Sequence, residues 1–162
     1  MAIDTGTLTV TITESLDMNM ADSGGGTIGD TSTSIVKTIT VNDIYKRIIS
    51  VPTSEVLLYD THDTNVAGAT FDDDKIKYVR ITNHEAEGGN HVVVRLKNAD
   101  NDEFVYKLEP KESFLLYHHE GTMIAAQAAT IDIGTGWHDI SSVKLTAQDG
   151  AVDCEVFIAC SA

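Results

Sequence analysis

The run from Lys75 to Tyr117 constrains the fold most, because apolar residues recur in it at every second position. Val92, Val94 and Leu96 alternate with His91, Val93, Arg95 and Lys97, and Phe104, Tyr106 and Leu108 alternate with Glu103, Val105 and Lys107. Successive side chains of a strand point to opposite faces. One apolar row of each strand therefore faces a core, and the other row faces solvent or a partner. Gly88-Gly89-Asn90 and Asn98-Ala99-Asp100-Asn101-Asp102 supply turn residues that tolerate positive φ or hydrogen-bond their own backbone. Pro110 presets φ for a turn between Leu108 and Phe114. The run reads as a meander of four consecutive strands joined by three turns. Its expected core, completed by the last strand of the chain, is Val92, Val94, Leu96, Phe104, Tyr106, Leu108, Phe114, Leu116, Val156 and Ile158.

The flanking segments keep the same period. In Thr7 to Thr13, Leu8, Val10 and Ile12 take one face and threonines the other, as suits a strand with one wet face. Ile35 to Val41 alternates again, Asn42-Asp43 breaks it, and Tyr45 to Val51 resumes an extended apolar segment ended by Pro52. Val56 to Tyr59 reads as a buried strand, and Asp60 to Asp74 as a polar connection. Val143, Leu145 and Ala147 mark one more strand. Gln148-Asp149-Gly150 gives an Asp-Gly hairpin signal, and Val152, Cys154, Val156 and Ile158 mark the last strand. About ten strands and no helix predict an all-β fold, an antiparallel β-sandwich or jelly-roll-like domain over 34–162. Residues 1–33 form an N-terminal strand with a glycine-rich segment, Gly24-Gly25-Gly26, that is either a long hairpin tip or an arm ordering on a neighbouring subunit.

The formal charge of −14 repels phosphate, which argues against nucleic acid as a partner. No run is apolar enough to span a bilayer, and MAIDTGTLTV lacks a basic region followed by an apolar core, so neither a membrane partner nor an ordinary secretion signal is expected. Cys154 and Cys160 lie six residues apart on one extended strand, roughly 20 Å, too far to pair. They read as free thiols.

Four constellations bear on chemistry. His84 and His91 flank the turn between two strands; facing each other across a hairpin, with His118 or Asp63, they could hold a metal, and otherwise they are polar strand ends. His118-His119-Glu120 has the residue types of cupin metal ligands, but adjacent strand residues point to opposite faces and the spacing by two is absent. Asp60, Asp63, Asp72, Asp73 and Asp74 offer hard oxygen ligands for calcium, without the regular spacing of an EF-hand, and otherwise form a solvated loop. Tyr59, Tyr78, Tyr106, Tyr117 and Trp137 would serve either a sugar platform or the core. No motif places a nucleophile, base and oxyanion donor together, so the expectation is a non-enzymatic protein without cofactor, metal site or catalytic residue.

Three stretches carry a resemblance. Lys77-Tyr78-Val79-Arg80-Ile81-Thr82-Asn83 matches a "KYIRITN"-like strand. Leu108-Glu109-Pro110-Lys111-Glu112-Ser113-Phe114 matches a "LEAGKSF"-like turn, with Pro and Glu in place of small residues. Val152-Asp153-Cys154-Glu155-Val156-Phe157-Ile158-Ala159 matches a "VDVEVFVAS"-like final strand. Together with the stretch from Ile39 to Ser50, these make the chain from about residue 35 onward similar to small β-sandwich virion structural proteins of tailed bacteriophages, notably marine ones. The resemblance implies a particle component, expected as a capsid decoration or cement protein on the head exterior. Its partners would be the major capsid protein, other virion subunits and further copies of itself. The chain would be made in the host cytoplasm and located in the virion. The alternative is a tail or fibre-associated module recognising host-surface glycan.

Overall fold

The computed structural model describes residues 6–16, 31–61, 75–98, 101–116, 122–123 and 138–161. Among them it is all-β, with the chain dividing into two units between Thr40 and Val41. In the first unit, β1 (Gly6–Leu16) and β2 (Thr31–Val41) form a two-stranded sheet of their own. Leu8, Val10 and Ile12 are half-buried and Thr7, Thr9 and Thr11 exposed, as the period of two requires.

The second unit is an antiparallel sandwich. One sheet runs β3 (Asp43–Val51), β11 (Val152–Cys160), β5 (Ile76–Asn83), β8 (Ser113–Leu116). The other runs β4 (Val56–Asp60), β10 (His138–Ala147), β6 (Val92–Asn98), β7 (Glu103–Leu108), and β9 (Thr122–Met123) pairs with the start of β10. Apart from β9, the pairing is nested: β3 with β11, β4 with β10, β5 with β8 and β6 with β7. The inner rows of both sheets merge in one core that includes Val79 and Ile81, Val92 and Val94, Leu108, Val143 and Leu145, Val156 and Ile158. Each such side chain taken from water contributes about 1.5–3 kcal/mol.

Nested pairing corrects the meander. β5 and β6 lie in different sheets, as do β7 and β8, and the 75–117 run contains one hairpin, β6–β7. The Asp149-Gly150 signal is corrected in the same way, because β10 and β11 also lie in different sheets. A turn sequence sets a bend. It does not choose the sheet that the next strand joins, and that choice falls to whichever distant strand completes the row. For β5 that strand is β11, with Val156 opposite Ile81 and Ile158 opposite Val79. At Gly150 a Cβ would come within 2.9 Å of Asn90 Nδ2 in the neighbouring crossover, so a larger residue would require that amide to shift.

The expected core holds at Val92, Val94, Leu96, Leu108, Val156 and Ile158, all buried, while Phe114 and Leu116 are partly buried against it. It is corrected at Phe104 and Tyr106, which are 49% and 38% exposed. Their register is that of the inner row, opposite Leu96 and Val94. But β7 is the edge of its sheet, where less of the facing sheet covers the row; the Tyr106 ring meets Phe114 with centroids 5.5 Å apart.

The crossover from β5 is organised by Asn83, fully buried at the strand's end. Its amide donates to the carbonyl oxygens of Asn90 at 3.0 Å and Leu108 at 3.3 Å, and its Oδ1 accepts from the Glu85 N–H at 2.9 Å. Its backbone exchanges hydrogen bonds with the β7–β8 turn, to Glu112 O and from Lys111 N–H, both at 3.0 Å. A buried amide is stable only when so satisfied.

Candidate functional site

The histidine reading depends on a hairpin that does not form. His84 is exposed and His91 half-buried, at opposite ends of a crossover between sheets. Among the described residues, no three His, Cys, Asp or Glu gather closely enough to hold a metal ion. His118, His119, Glu120, Asp63, Asp72, Asp73, Asp74, Tyr117 and Trp137 lie outside the described residues, as does the Gly24-Gly25-Gly26 segment.

The three described tyrosines of the candidate set, Tyr59, Tyr78 and Tyr106, occupy separate places and make no shared platform. Tyr59 is in the core, and burial pushes its phenol well above the ordinary value. Tyr78 packs edge-on against Phe157, ring centroids 5.6 Å apart, and Tyr106 sits on the β7 edge.

Asp60, at the end of β4, lines an open polar cavity of about 220 Å³ with Lys97, Asn98, Asn101, Ser141, Ser142 and Lys144. A register shift in β10 between Ile140 and Ser142 shapes its floor, where Ser141 Oγ donates to the Lys97 carbonyl at 3.1 Å. Asn98 builds its rim. Its Oδ1 accepts from the Asp102 N–H at 2.8 Å, its Nδ2 donates to Asp102 Oδ2 at 3.1 Å, and Asn101 turns the chain at φ 70°. The cavity presents ammonium, hydroxyl and carboxylate groups together. That suits a small hydroxylated or anionic ligand better than an apolar one.

The two outer faces differ. On the β4–β10–β6–β7 sheet, Arg95 and Lys144 stand directly opposite each other, and Glu55 neutralises both at 2.9 Å. The hydrogen bond from Lys144, reinforced by the charges of Arg95 and Lys144, holds the Glu55 carboxyl below its usual range. Glu103 adds a contact to Arg95 at 3.8 Å, and Lys107 pairs with Glu109 at 2.6 Å. This is a solvated ion-pair lattice whose members each contribute little to stability.

The outer face of the β3–β11–β5–β8 sheet mixes charged and apolar side chains. Its central row runs Lys46, Phe157, Arg80, Leu115 across the four strands, and the next runs Ile48, Glu155, Thr82, Ser113. Glu155 pairs with the Arg80 guanidinium and lies 3.6 Å from Lys46 Nζ. Arg80 also sits 5.9 Å over the Phe157 ring, within cation–π range. Ile44 and Ile48 stand out from β3, 52% and 62% exposed. β3 is the sheet's edge, nine residues paired to β11 without a register shift. Alternation in the sequence marks this segment as extended and apolar but not as an edge. The signal available was Ile44 and Ile48 at even spacing beside Lys46, but nothing local marked the strand as an edge.

Cys154 and Cys160 are both free thiols, as expected, and both are buried. Burial, aided by nearby carboxylates, pushes the Cys154 thiol up to about 12 and the Cys160 thiol up to about 11. Neither is a nucleophile at neutral pH.

No family model matches this chain, and no curated protein matches it significantly.

Proposed function

We propose that this chain is a non-enzymatic structural component of a tailed-phage particle, a decoration or cement protein on the head exterior. The observation that carries the reading is the two-stranded sheet that β1 and β2 form on their own, with its Leu8–Val10–Ile12 row only half buried. An isolated two-stranded sheet is marginal in water, so such a segment gains its stability from a third strand or another surface. A sandwich joined to a two-stranded ribbon suits a subunit that clamps onto a lattice. The strongly acidic chain suits a position away from packaged nucleic acid. The nested pairing of the eight sandwich strands is compatible with a jelly roll, an architecture that viral capsid and lectin domains both use. Mass spectrometry of purified particles of the encoding phage tests the reading. The chain is expected among the abundant structural proteins, and its consistent absence would end the proposal.

The polar cavity at Asp60, Lys97 and Lys144 favours a second reading, a tail or fibre-associated module that binds host-surface glycan. Binding of the purified protein to a glycan array, lost in Lys97→Ala, would support it. Particles carrying the chain over the head and an array without signal would set it aside.

A further inference from the structure

We propose that the edge strand β3 is the acceptor for β1 of a second copy, so that copies join head to tail by adding the β1–β2 ribbon to the neighbour's β3–β11–β5–β8 sheet. The inference rests on the reading of the N-terminal segment as an assembly arm, and it names the surface that receives the arm.

Two incomplete structures in one chain motivate it. The ribbon lacks a third strand: among the described residues β1 pairs with β2 alone, leaving its other edge open, and on β2 Val36 is 61% exposed. Among the described residues the sandwich also has a long edge strand. Natural sheets blunt their edges with short strands, bulges, prolines, edge lysines or inward charges, and β3 has only the charges, Lys46 and, in the inward row opposite Val156, Arg47. β8, at the far side of the same sheet, is four residues long. β3 is nine residues long, has no proline within it and pairs with β11 without a register shift. Its open side therefore offers a long, regular row of backbone donors and acceptors. Strand addition to such an edge takes its affinity from main-chain hydrogen bonds and its specificity from alternate side chains.

The alternation and the charge both select β1 as the occupant. An added β1 would bring the Leu8–Val10–Ile12 row alongside Ile44 and Ile48 on one face and leave its threonines on the other. Residues 1–36 contain Asp4, Glu14, Asp17, Asp22 and Asp30 and no Lys or Arg. β3 carries Lys46 and Arg47 against the single acid Asp43, an excess of positive charge in a chain whose net charge is −14. β1 itself carries one acid, Glu14, and no base, so its charge is opposite to that of this edge, and opposite charges across the contact would fix the partner and speed encounter. Pairing β3 with β3 about a two-fold axis would instead juxtapose two basic strands. Because donor and acceptor are different surfaces, the contact is heterologous and closes as a ring or continues along a lattice.

The test uses two full-length variants and sedimentation velocity. Lys46→Glu/Arg47→Glu keeps the arm and spoils the acceptor. Thr9→Pro/Thr11→Pro keeps the acceptor and spoils β1 by removing backbone donors. The wild-type chain should self-associate, and each variant alone should associate at least about tenfold more weakly. An equimolar mixture of the two should recover a one-to-one complex, since one functional arm and one functional edge remain. Circular dichroism melts should show that both variants keep the sandwich. A variant that loses it is replaced by Arg47→Glu alone or Thr9→Pro alone in the same mixing assay. A monomeric wild type, or a Lys46→Glu/Arg47→Glu protein that associates like wild type, would overturn the inference. Loss of association in both variants without recovery on mixing would overturn it in favour of symmetric pairing. The functional reading fails separately, if purified particles lack the chain while the mixing experiment succeeds.

Discussion

The side-chain amide of Asn83, at the end of β5, donates to the backbone carbonyl of Leu108, the last residue of β7 in the facing sheet, at 3.3 Å. One buried polar group thereby ties the two sheets together at a crossover, and it does so where every neighbouring backbone group needs a partner. Asn83→Ala should cost about 2–3 kcal/mol, because it strands buried backbone groups as well as deleting a contact. Urea denaturation measures it. A loss below about 0.5 kcal/mol would mean that water replaces the amide.

Leu96 and Phe104 face each other in one cross-strand pair but differ in cover, Leu96 being 5% and Phe104 49% exposed. Leu96→Ala should cost about 2–5 kcal/mol. Phe104→Ala should cost less than about half of that in the isolated protein. Equal losses in paired denaturation curves would show that the β7 edge is covered in solution.

Lys111 sits at φ 67° after Pro110, in a turn closed by the Glu112 N–H donating to the Glu109 carbonyl at 3.2 Å. A side chain in the left-handed region carries a steric cost that glycine avoids. Lys111→Gly should therefore stabilise the domain by about 0.5–1 kcal/mol, net of the exposed hydrogen bond from Lys111 Nζ to His84 O. A melting temperature that falls in the variant would contradict this.

The buried thiols set an alkaline limit. Burial raises Cys154 to about 12 and Cys160 to about 11, above their ordinary value of 9.0, and pushes up the Tyr59 phenol as well. In this range the folded state holds protons that the unfolded state releases, so stability falls as pH rises. The contribution is fully present below pH 9 and is lost progressively toward pH 11–12. Urea midpoints measured from pH 7 to 11 should decline above about pH 9. A Cys154→Ala/Cys160→Ala variant should decline less, and identical declines would assign the loss to other groups.

The faces of the strands were legible in the sequence, and their partners were not. Val92, Val94, Leu96 and Leu108 announce their row by alternation, and that row is buried. Alternation assigns Phe104 and Tyr106 to the same row equally well, yet it carries no information on how far the opposite sheet reaches. The turn residues at Gly88-Gly89-Asn90, Pro110 and Asp149-Gly150 located bends correctly but could not show that each bend leads into the other sheet. Pairing of β3 with β11 joins residues more than a hundred positions apart, and no local pattern encodes it. The candidate surfaces escaped for the same reason. Ile44, Lys46 and Ile48 become an edge only once β11 is known to be their single neighbour in the sheet. The cavity at Asp60 exists only because β4, β10 and β6 meet.

Electron cryo-microscopy of purified particles, with density assigned to this chain, decides the proposed role as a phage decoration protein. Many symmetrically arranged copies are expected over the head exterior, each contacting the capsid lattice or a neighbouring copy through its N-terminal ribbon. Density confined to a few copies at the tail, or a particle in which the chain has no place, would contradict it.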